Sequence, residues 1–213
     1  MEAYFDNSAT TKVTENVKNI VVDAMTKDYG NPSSMHMIGV EAEKYIKDAK
    51  DCIADILKVD SKEIYFTSGG TESNNMAIIG SVEANKRSGN KVITTKVEHS
   101  SVANPMKYLE KMGYNVVYLP VDEYGVVDLE ALKKEMSEDT ILVSIMYVNN
   151  EVGAIMPIHE IGKYIKTVNQ KVVYHVDAIQ AFGKMEIRPK KDNIDILTVS
   201  GHKIHGPKGS GFI

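Results

Sequence analysis

The strongest constraint on the fold is a regular alternation of short apolar runs with longer amphipathic ones. The run over 140–147, TILVSIMY, is apolar on both faces, which is typical of a central strand in a sheet covered on both sides. Six shorter runs rich in β-branched residues predict further strands. The predicted strands are Glu63–Thr67, Lys91–Thr95, Asn115–Leu119, Thr140–Tyr147, Lys171–Val176, Asp195–Val199 and Gly209–Ile213.

Helical periodicity fills the intervals between these strands. Over 39–57, for example, apolar residues recur at helical spacing with charged residues on the opposite face. This alternation predicts an α/β fold with a mostly parallel, seven-stranded sheet flanked by helices. Residues 1–57 do not follow it, so we expect an N-terminal arm with helices there and one large domain over 58–213. The predicted helices are Glu15–Lys27, Gly39–Leu57, Thr71–Arg87, Ser100–Met112, Leu129–Met136 and His159–Val168.

Charge and cysteine content exclude several classes of function. Twenty-five basic and 29 acidic residues give a net charge of −4, so no basic excess favours nucleic acid or an anionic membrane. The longest apolar run is much shorter than the ~20 residues of a membrane-spanning helix. The single cysteine, Cys52, excludes an internal disulfide and fits a reducing compartment. With no secretory signal visible in MEAYFDNSATT, we expect a cytoplasmic protein that uses no metal.

Ligands of open α/β sheets bind beyond the carboxyl ends of the strands, so polar residues there are candidates for a site. Gly70 and Thr71 follow the first strand and lead into a helix, where free N–H groups would suit a phosphate. A plain helix start capped by Thr71 explains the same residues and is simpler. His99, after the second strand, suits either a ligand-facing ring or a helix start. Asn150, after the fourth, suits either an amide donor or a turn.

The fifth and sixth strands end in residues with stronger chemistry. Asp177 closes an apolar strand, which is costly unless a cation or N–H group pairs with it. It could hold a protonated ring nitrogen or cap the next turn. Lys203 follows Ser200 and His202, where burial would lower its pKa and make its amine nucleophilic toward an aldehyde. A solvated loop lysine is the alternative.

Each of these signals is modest by itself, but they occur at successive strand ends. Together they supply a phosphate cradle, a stacking ring, an amide donor, a carboxylate for a ring nitrogen and an amine for an aldehyde. Pyridoxal 5′-phosphate requires this set of groups. The combination therefore predicts that cofactor.

Seven motifs also carry a family resemblance. The chain resembles the NifS/IscS-like cysteine desulfurases of the class V aminotransferase group, which share the fold-type I architecture of pyridoxal-phosphate enzymes. The similarity runs from Tyr4 to the last residue, in the family's order. The motifs are DNSATT (6–11), NPSSMH (31–36), TSGGTESNN (67–75), EHSSV (98–102), VNNEVG (148–153), HVDAIQAFGK (175–184) and SGHKIHGPKGSG (200–211).

The resemblance implies a role for each candidate residue. Lys203 would hold the cofactor covalently and then move protons, and Asp177 would pair with the pyridinium nitrogen. His99 would stack on the ring and is a second candidate for proton transfer. The other implied contacts are Gln180 and Asn150 near the phenolic oxygen or the substrate, and Gly70, Thr71, Ser200 and His202 around the phosphate. Asn31, His36 and the DNSATT segment would lie near the substrate mouth.

The resemblance also implies a reaction and its partners. The family removes sulfur from L-cysteine, leaving L-alanine and an enzyme persulfide, and passes the sulfur to iron–sulfur scaffolds or thiolation pathways. It works as a homodimer. A selenocysteine lyase or another class V aminotransferase would share the same motifs.

The family's nucleophilic cysteine and its substrate-gripping arginine lie well downstream of the cofactor lysine. The only thiol here, Cys52, falls in an amphipathic helix before the first strand and is not assigned that role. We therefore expect an N-terminal fragment without the C-terminal small domain, with little or no desulfurase activity. A non-catalytic fragment that binds the cofactor or a sulfur-transfer partner is the alternative.

Overall fold

A computed structural model describes residues 3–213. Its helices are α1 (Glu15–Thr26), α2 (Met37–Leu57), α3 (Gly70–Asn85), α4 (Ser100–Lys111), α5 (Leu129–Glu135), α6 (Ile158–Val168) and α7 (Pro189–Asp192). Its strands are β1 (Phe66–Thr67), β2 (Lys91–Thr95), β3 (Asn115–Leu119), β4 (Thr140–Met146), β5 (Val173–Asp177), β6 (Ile196–Ser200) and β7 (Gly211–Phe212).

The strands form one seven-stranded sheet in the order β1-β7-β6-β5-β4-β2-β3. Strands β2 to β6 pair in parallel, while β7 runs antiparallel between β6 and β1. The predicted α/β fold with a mostly parallel, seven-stranded sheet is confirmed. The parallel pairing brings the carboxyl ends of β2, β4, β5 and β6 to the same edge.

Strand β4 is the centre of the core, and every one of its residues is buried. Leu142 packs with residues of α3 and α4 on one face of the sheet. Val143 and Ile145 pack on the other face with Ile161 and Ile165 of α6. Alternation of side chains along a strand sends neighbours to opposite faces, so this strand carries apolar residues on both of its faces because both are covered.

The predicted bounds of β2 and β3 agree with the structure, while other elements differ at their ends for local reasons. The first strand starts only at Phe66, because residues 61–63 form a 3-10 turn under an Asp60–Glu63 capping box. The last strand starts at Gly211, since Gly209 has a φ of +81° in the preceding turn. Helix α7, which was not predicted, is a single turn that starts at Pro189.

The N-terminal segment is attached to the loop that follows β6. The N–H and hydroxyl groups of Thr11 both donate to the carbonyl oxygen of His202, at 2.9 and 2.8 Å. Helix α1 buries none of its residues, whereas Ala54 and Leu57 at the end of α2 enter the main core. No helix in the described range 3–213 is long and apolar enough to cross a membrane.

Packing between α6 and α7 requires glycine at position 162. A Cβ atom there would lie 2.0 Å from the backbone oxygen of Asp192. We expect Gly162→Ala to lower the free energy of unfolding by about 1–3 kcal/mol through overpacking, although alanine favours a helix by up to about 1 kcal/mol. Urea unfolding monitored by circular dichroism measures this change.

The matched control for this substitution is Gly80→Ala in α3, where a new Cβ meets no atom within 4 Å. There only the helix preference acts, so the control should be unchanged or up to about 1 kcal/mol more stable. Equal effects of the two substitutions would contradict the packing argument.

Candidate active site

A cavity of about 450 Å³ lies beyond the carboxyl ends of β4, β5 and β6. Every residue predicted to bind the cofactor or to act in catalysis lines it, together with residues of the N-terminal segment. Chain segments that are far apart in sequence therefore meet at one place. The predicted residues in its wall are Gly70, Thr71, His99, Asn150, Asp177, Gln180, Ser200, His202 and Lys203.

One end of the cavity is the start of helix α3. Gly69 is the N-cap residue, with a φ of +140°, and no side chain within residues 3–213 caps this end of the helix. The alternative in which Thr71 is the cap is therefore wrong. The first N–H groups of the helix remain available to an anion, and the helix dipole adds positive potential there.

The wall around this helix end also suits an anion. A neighbouring cavity of about 470 Å³ shares Gly70, Thr71, Ser200 and His202 with the main one and is lined by Lys208 as well. A Cβ on Gly70 would come within 2.2 Å of Cδ1 of Ile179, so any larger residue there would require the Ile179 side chain to move. These residues would surround a phosphate group.

Asp177 ends β5 with its side chain buried. Its Oδ1 accepts a hydrogen bond from the N–H of Ile179 at 3.0 Å, and its Oδ2 accepts one from Nδ2 of Asn74 at 2.8 Å. Burial raises the pKa of the carboxyl group, and these two donors oppose that rise. The carboxylate thus has the N–H partners that its position requires, and one of them also caps the next turn.

Lys203 lies in the short 3-10 turn that follows β6, and it is half-buried. Its Nζ donates to the backbone oxygen of Ala9 at 2.8 Å and also to that of Ser8. Burial and the positive charge of Lys184 lower its pKa, against the attraction of Asp6 and Asp177. An amine with a lowered pKa is a better nucleophile near neutral pH, which agrees with the chemistry expected of this lysine.

His99 starts a helix and also lies in the cavity wall. It is the N-cap of α4, where its Nδ1 accepts the backbone N–H of Ser101 at 3.1 Å. The same ring lines the cavity. The capping contact fixes the orientation of the ring, so a residue that starts the helix also presents an imidazole to the site.

Asn150 and Gln180 also line the cavity, but their amides contact other protein groups. Asn150 donates from Nδ2 to Oε1 of Glu151 at 2.6 Å. Gln180 donates from Nε2 to the backbone oxygen of Ser8 at 2.8 Å. The turn role considered for Asn150 is filled by its neighbour Asn149, whose Oδ1 accepts two backbone N–H groups.

The N-terminal segment supplies Asp6, Ser8 and Ala9 to the cavity wall. Asn31 and His36 are not among the lining residues of the described chain. His36 instead caps α2 by accepting the N–H of Gly39, and Asn31 accepts that of Ser33.

Comparison with known proteins identifies the family. The model of the aminotransferase class-V family matches residues 3–213. The chain belongs to the aminotransferase class-V family. It is 51% identical to a mitosomal cysteine desulfurase of Trachipleistophora hominis and 47% identical to the cysteine desulfurase IscS of Methanosarcina thermophila, covering 99% of this chain in both cases. It covers 48% and 52% of those proteins, so it spans about half the length of these curated relatives.

Solved structures of related proteins also superpose closely on this chain. A NifS-like protein superposes with a TM-score of 0.96 at 43% identity, over all of this chain and 58% of that one. SspA in complex with cysteine superposes with a TM-score of 0.94 at 36% identity, over 99% of this chain and 60% of that one. The resemblance to NifS/IscS-like cysteine desulfurases is confirmed.

Glu98 is a residue of this class-V chain whose environment the sequence did not reveal. Its Oε1 accepts hydrogen bonds from the hydroxyl of Thr95 at 2.7 Å and from the N–H of Met146 at 3.0 Å. Its Oε2 is buried and has no hydrogen-bond partner in the described part of the chain. Burial raises the pKa of this carboxyl group to about 8. At neutral pH Glu98 is therefore largely protonated and ties the end of β2 to β4.

The raised pKa of Glu98 predicts a pH dependence of stability. The folded state keeps this proton up to a higher pH than the unfolded state, so its contribution is complete below about 4.5 and is lost as the pH rises toward about 8. Glu98→Gln keeps the Oε1 acceptor without the charge. We expect it to gain free energy of unfolding relative to the unmodified chain between pH 5 and 8.5, on the order of a few kcal/mol.

Denaturant unfolding at both pH values measures the gain. Glu123→Gln changes an exposed carboxylate and serves as the control. If the free energy of unfolding of Glu98→Gln differed from that of the unmodified chain by the same amount at pH 5 and pH 8.5, the Glu98 carboxyl would be ionised in the folded state, contrary to this prediction.

The only cysteine of this class-V chain lies away from the cavity. Cys52 is exposed on α2 and is not among the residues that line the cavity in the described chain. Within residues 3–213, no group of three or more His, Cys, Asp or Glu side chains is placed to hold a metal ion.

Proposed function

We propose that this chain is the pyridoxal-phosphate-holding half of a cysteine desulfurase. The observation that carries the proposal is that Asp177 and Lys203 line the same cavity, beside the uncapped start of α3. Residues 58–213 would form the cofactor domain. The arm over 1–57 would help to close it, since Asp6 and Ser8 belong to the cavity wall.

The residues present fit each part of the cofactor. The start of α3, with Ser200 and His202, would hold the phosphate, while Asp177 would pair with the ring nitrogen as a buried carboxylate. His99 would stack against the ring, and Gln180 and Asn150 would lie toward its phenolic oxygen or the substrate. When bound, pyridoxal phosphate supplies an aldehyde that condenses with amines and a ring that accepts electrons.

Lys203 would perform two tasks in this scheme. Its Nζ would hold the cofactor, because Lys203 is the lysine in the cavity wall of the described chain, and burial also lowers its pKa. Once a substrate amine takes its place, the freed Nζ would move a proton at the substrate carbon. The interactions of Nζ with Ser8 and Ala9 oxygens show where this amine rests against the N-terminal segment.

L-cysteine is the proposed substrate. The named relatives are cysteine desulfurases, and one structural neighbour was solved in complex with cysteine. The products would be L-alanine and a persulfide on an acceptor cysteine other than Cys52. The thiolate of that acceptor cysteine would attack the substrate sulfur while the carbon–sulfur bond breaks. The sulfur would then pass to an iron–sulfur scaffold or another acceptor protein. Because the chain spans about half of its curated relatives, activity on cysteine belongs to the proposal.

The cofactor assignment predicts a colour change. The unmodified chain mixed with pyridoxal phosphate should acquire a near-visible absorption band, and borohydride reduction should place the pyridoxyl label on the peptide containing Lys203. Lys203→Ala should lose both, because it removes the amine. Lys191→Ala, an exposed lysine on α7, should retain both. An unmodified chain that stays colourless with added cofactor would sink the proposal.

The position of Cys52 predicts that it has no part in sulfur transfer. Because this thiol is exposed on α2 and is not among the cavity-lining residues of the described chain, Cys52→Ser should leave cofactor uptake unchanged. Any release of sulfide from L-cysteine under reducing conditions should also be unaffected. A loss of sulfide release in this variant would identify Cys52 as the sulfur acceptor and contradict its placement.

We also propose that the chain forms a homodimer in a reducing compartment, with the cytoplasm as the site of action. Large apolar side chains remain exposed along the N-terminal region, and such a surface is typical of one that packs against another chain or domain. The group includes Phe5, Ile20, Met25, Met35 and Met37. Sedimentation analysis tests the dimer directly.

A further inference from the structure

A continuous chain of buried side-chain hydrogen bonds runs beneath the cavity. It crosses from β4 through β5 and β6 to α3 and α4, and it ends at the imidazole of His99. All of its internal members are buried, so each polar atom needs a partner within the protein. In order, the members are Ser144, His175, Thr198, Asn74, Ser101 and His99, with Asp177 attached at Asn74.

Asp177 determines which atom of the Asn74 side-chain amide donates and which accepts in this series of hydrogen bonds. Nδ2 of Asn74 lies 2.8 Å from Oδ2 of Asp177, and the reverse amide orientation would place two acceptors against each other. The amide therefore donates to Asp177, and its second N–H donates to the hydroxyl of Ser101 at 2.8 Å. Oδ1 of Asn74 accepts from the hydroxyl of Thr198 at 2.6 Å.

Toward α4, this orientation of the Asn74 amide determines which ring nitrogen of His99 carries the proton. The hydroxyl oxygen of Ser101 accepts from Asn74, so its own proton is free to be donated to Nδ1 of His99 at 2.8 Å. The backbone N–H of Ser101 also donates to Nδ1, at 3.1 Å. Nδ1 consequently carries a lone pair, and a neutral imidazole then has its proton on Nε2.

Toward β6, β5 and β4, the donors and acceptors follow from the same orientation of the Asn74 amide. Because the Thr198 hydroxyl donates to Asn74, it accepts from Nε2 of His175 at 3.1 Å. Nδ1 of His175 then accepts from the hydroxyl of Ser144 at 2.8 Å. Burial lowers the pKa of His175 to about 3, so its ring is neutral and meets both requirements. Each O–H or N–H group in this series of hydrogen bonds therefore faces an acceptor, and no two donors or two acceptors face each other.

We propose that Asn74 is a positioning residue that fixes His99 in the Nε2–H form through Ser101 and holds the carboxylate of Asp177 in place. His99 would then offer the cavity an N–H donor rather than a lone pair. The expected effect on cofactor binding rests on the function proposed above. The protonation of the His99 ring, in contrast, is a property of the protein without cofactor.

Nitrogen NMR of the unmodified chain, ¹⁵N-labelled and without cofactor, tests the first part. At a pH where His99 is neutral, its Nδ1 should show the shift of an unprotonated ring nitrogen and its Nε2 that of a protonated one. His175 should show the same pattern. A His99 ring protonated on Nδ1, or averaged between the two forms, would overturn the proposal.

Two variants test whether Asn74 and Ser101 cause this selection. Ser101→Ala removes only the hydroxyl between Asn74 and His99, and Asn74→Leu removes the amide at similar volume. Both should reveal a measurable population of His99 protonated on Nδ1, while in Ser101→Ala the signals of His175 stay in place. Asn85→Leu, at the far end of α3, is the matched control, since its Nδ2 contacts only the backbone oxygen of Ser81 within the described chain. An unchanged His99 in both variants would overturn the proposal.

Cofactor affinity tests the second part. Asn74→Leu leaves the Asp177 carboxylate without one of its two donors, so binding of pyridoxal phosphate should weaken at least about tenfold. Ser101→Ala should weaken it less, and Asn85→Leu should match the unmodified chain. Should Asn74→Leu fail to fold, Ser101→Ala still tests whether the hydrogen bonds from Asn74 through Ser101 determine which nitrogen of His99 is protonated. An unmodified chain that binds no cofactor would refute the proposed function but leave the ring measurement valid.

Discussion

The structure depends on the burial of β4 on both of its faces. A strand covered on both sides has no room for polar side chains that require solvent, so such groups gather where the strand ends. Parallel pairing with β2 and β5 brings those ends to one edge. Met146 and Asp177 are direct neighbours in this register, and Glu98 reaches the same level by accepting the N–H of Met146. The site is therefore a direct consequence of how the core is arranged.

Opposed electrostatic effects act on Asp177 and Lys203, the two facing charged groups of this site. Burial raises the pKa of Asp177 and lowers that of Lys203, which in each case acts against the charged form. Their mutual attraction and the N–H donors of Asp177 oppose this trend. A ligand with a cationic ring nitrogen and an anionic phosphate would satisfy the carboxylate at one end and the start of α3 at the other. The site thus gains most from a ligand that carries both charges.

Much of this arrangement could be predicted from sequence, because periodicity and strand-end position depend on local pattern. The sheet, the bounds of β2 and β3 and the gathering of Asp177 with Lys203 follow from such patterns. The short first strand could not be foreseen, since the capping box at Asp60 competes with β propensity over the same residues. Asn74 was also missed. A polar residue inside a helix gives no sequence signal of burial, and only the tertiary fold places it 2.8 Å from Asp177.

The N-terminal segment shows why a site assigned to strand ends is incomplete without the rest of the chain. Thr11 donates to the backbone oxygen of His202, and its own hydroxyl accepts the N–H of His205 at 2.7 Å. These bonds fix the loop that carries Lys203 against residues almost 200 positions earlier in the sequence. Because Nζ of Lys203 then rests on the backbone oxygen of Ala9, the segment determines where the amine lies before any ligand binds. Residues that precede the first strand are thus part of the cavity wall, and the position of Lys203 depends on them as much as on β6.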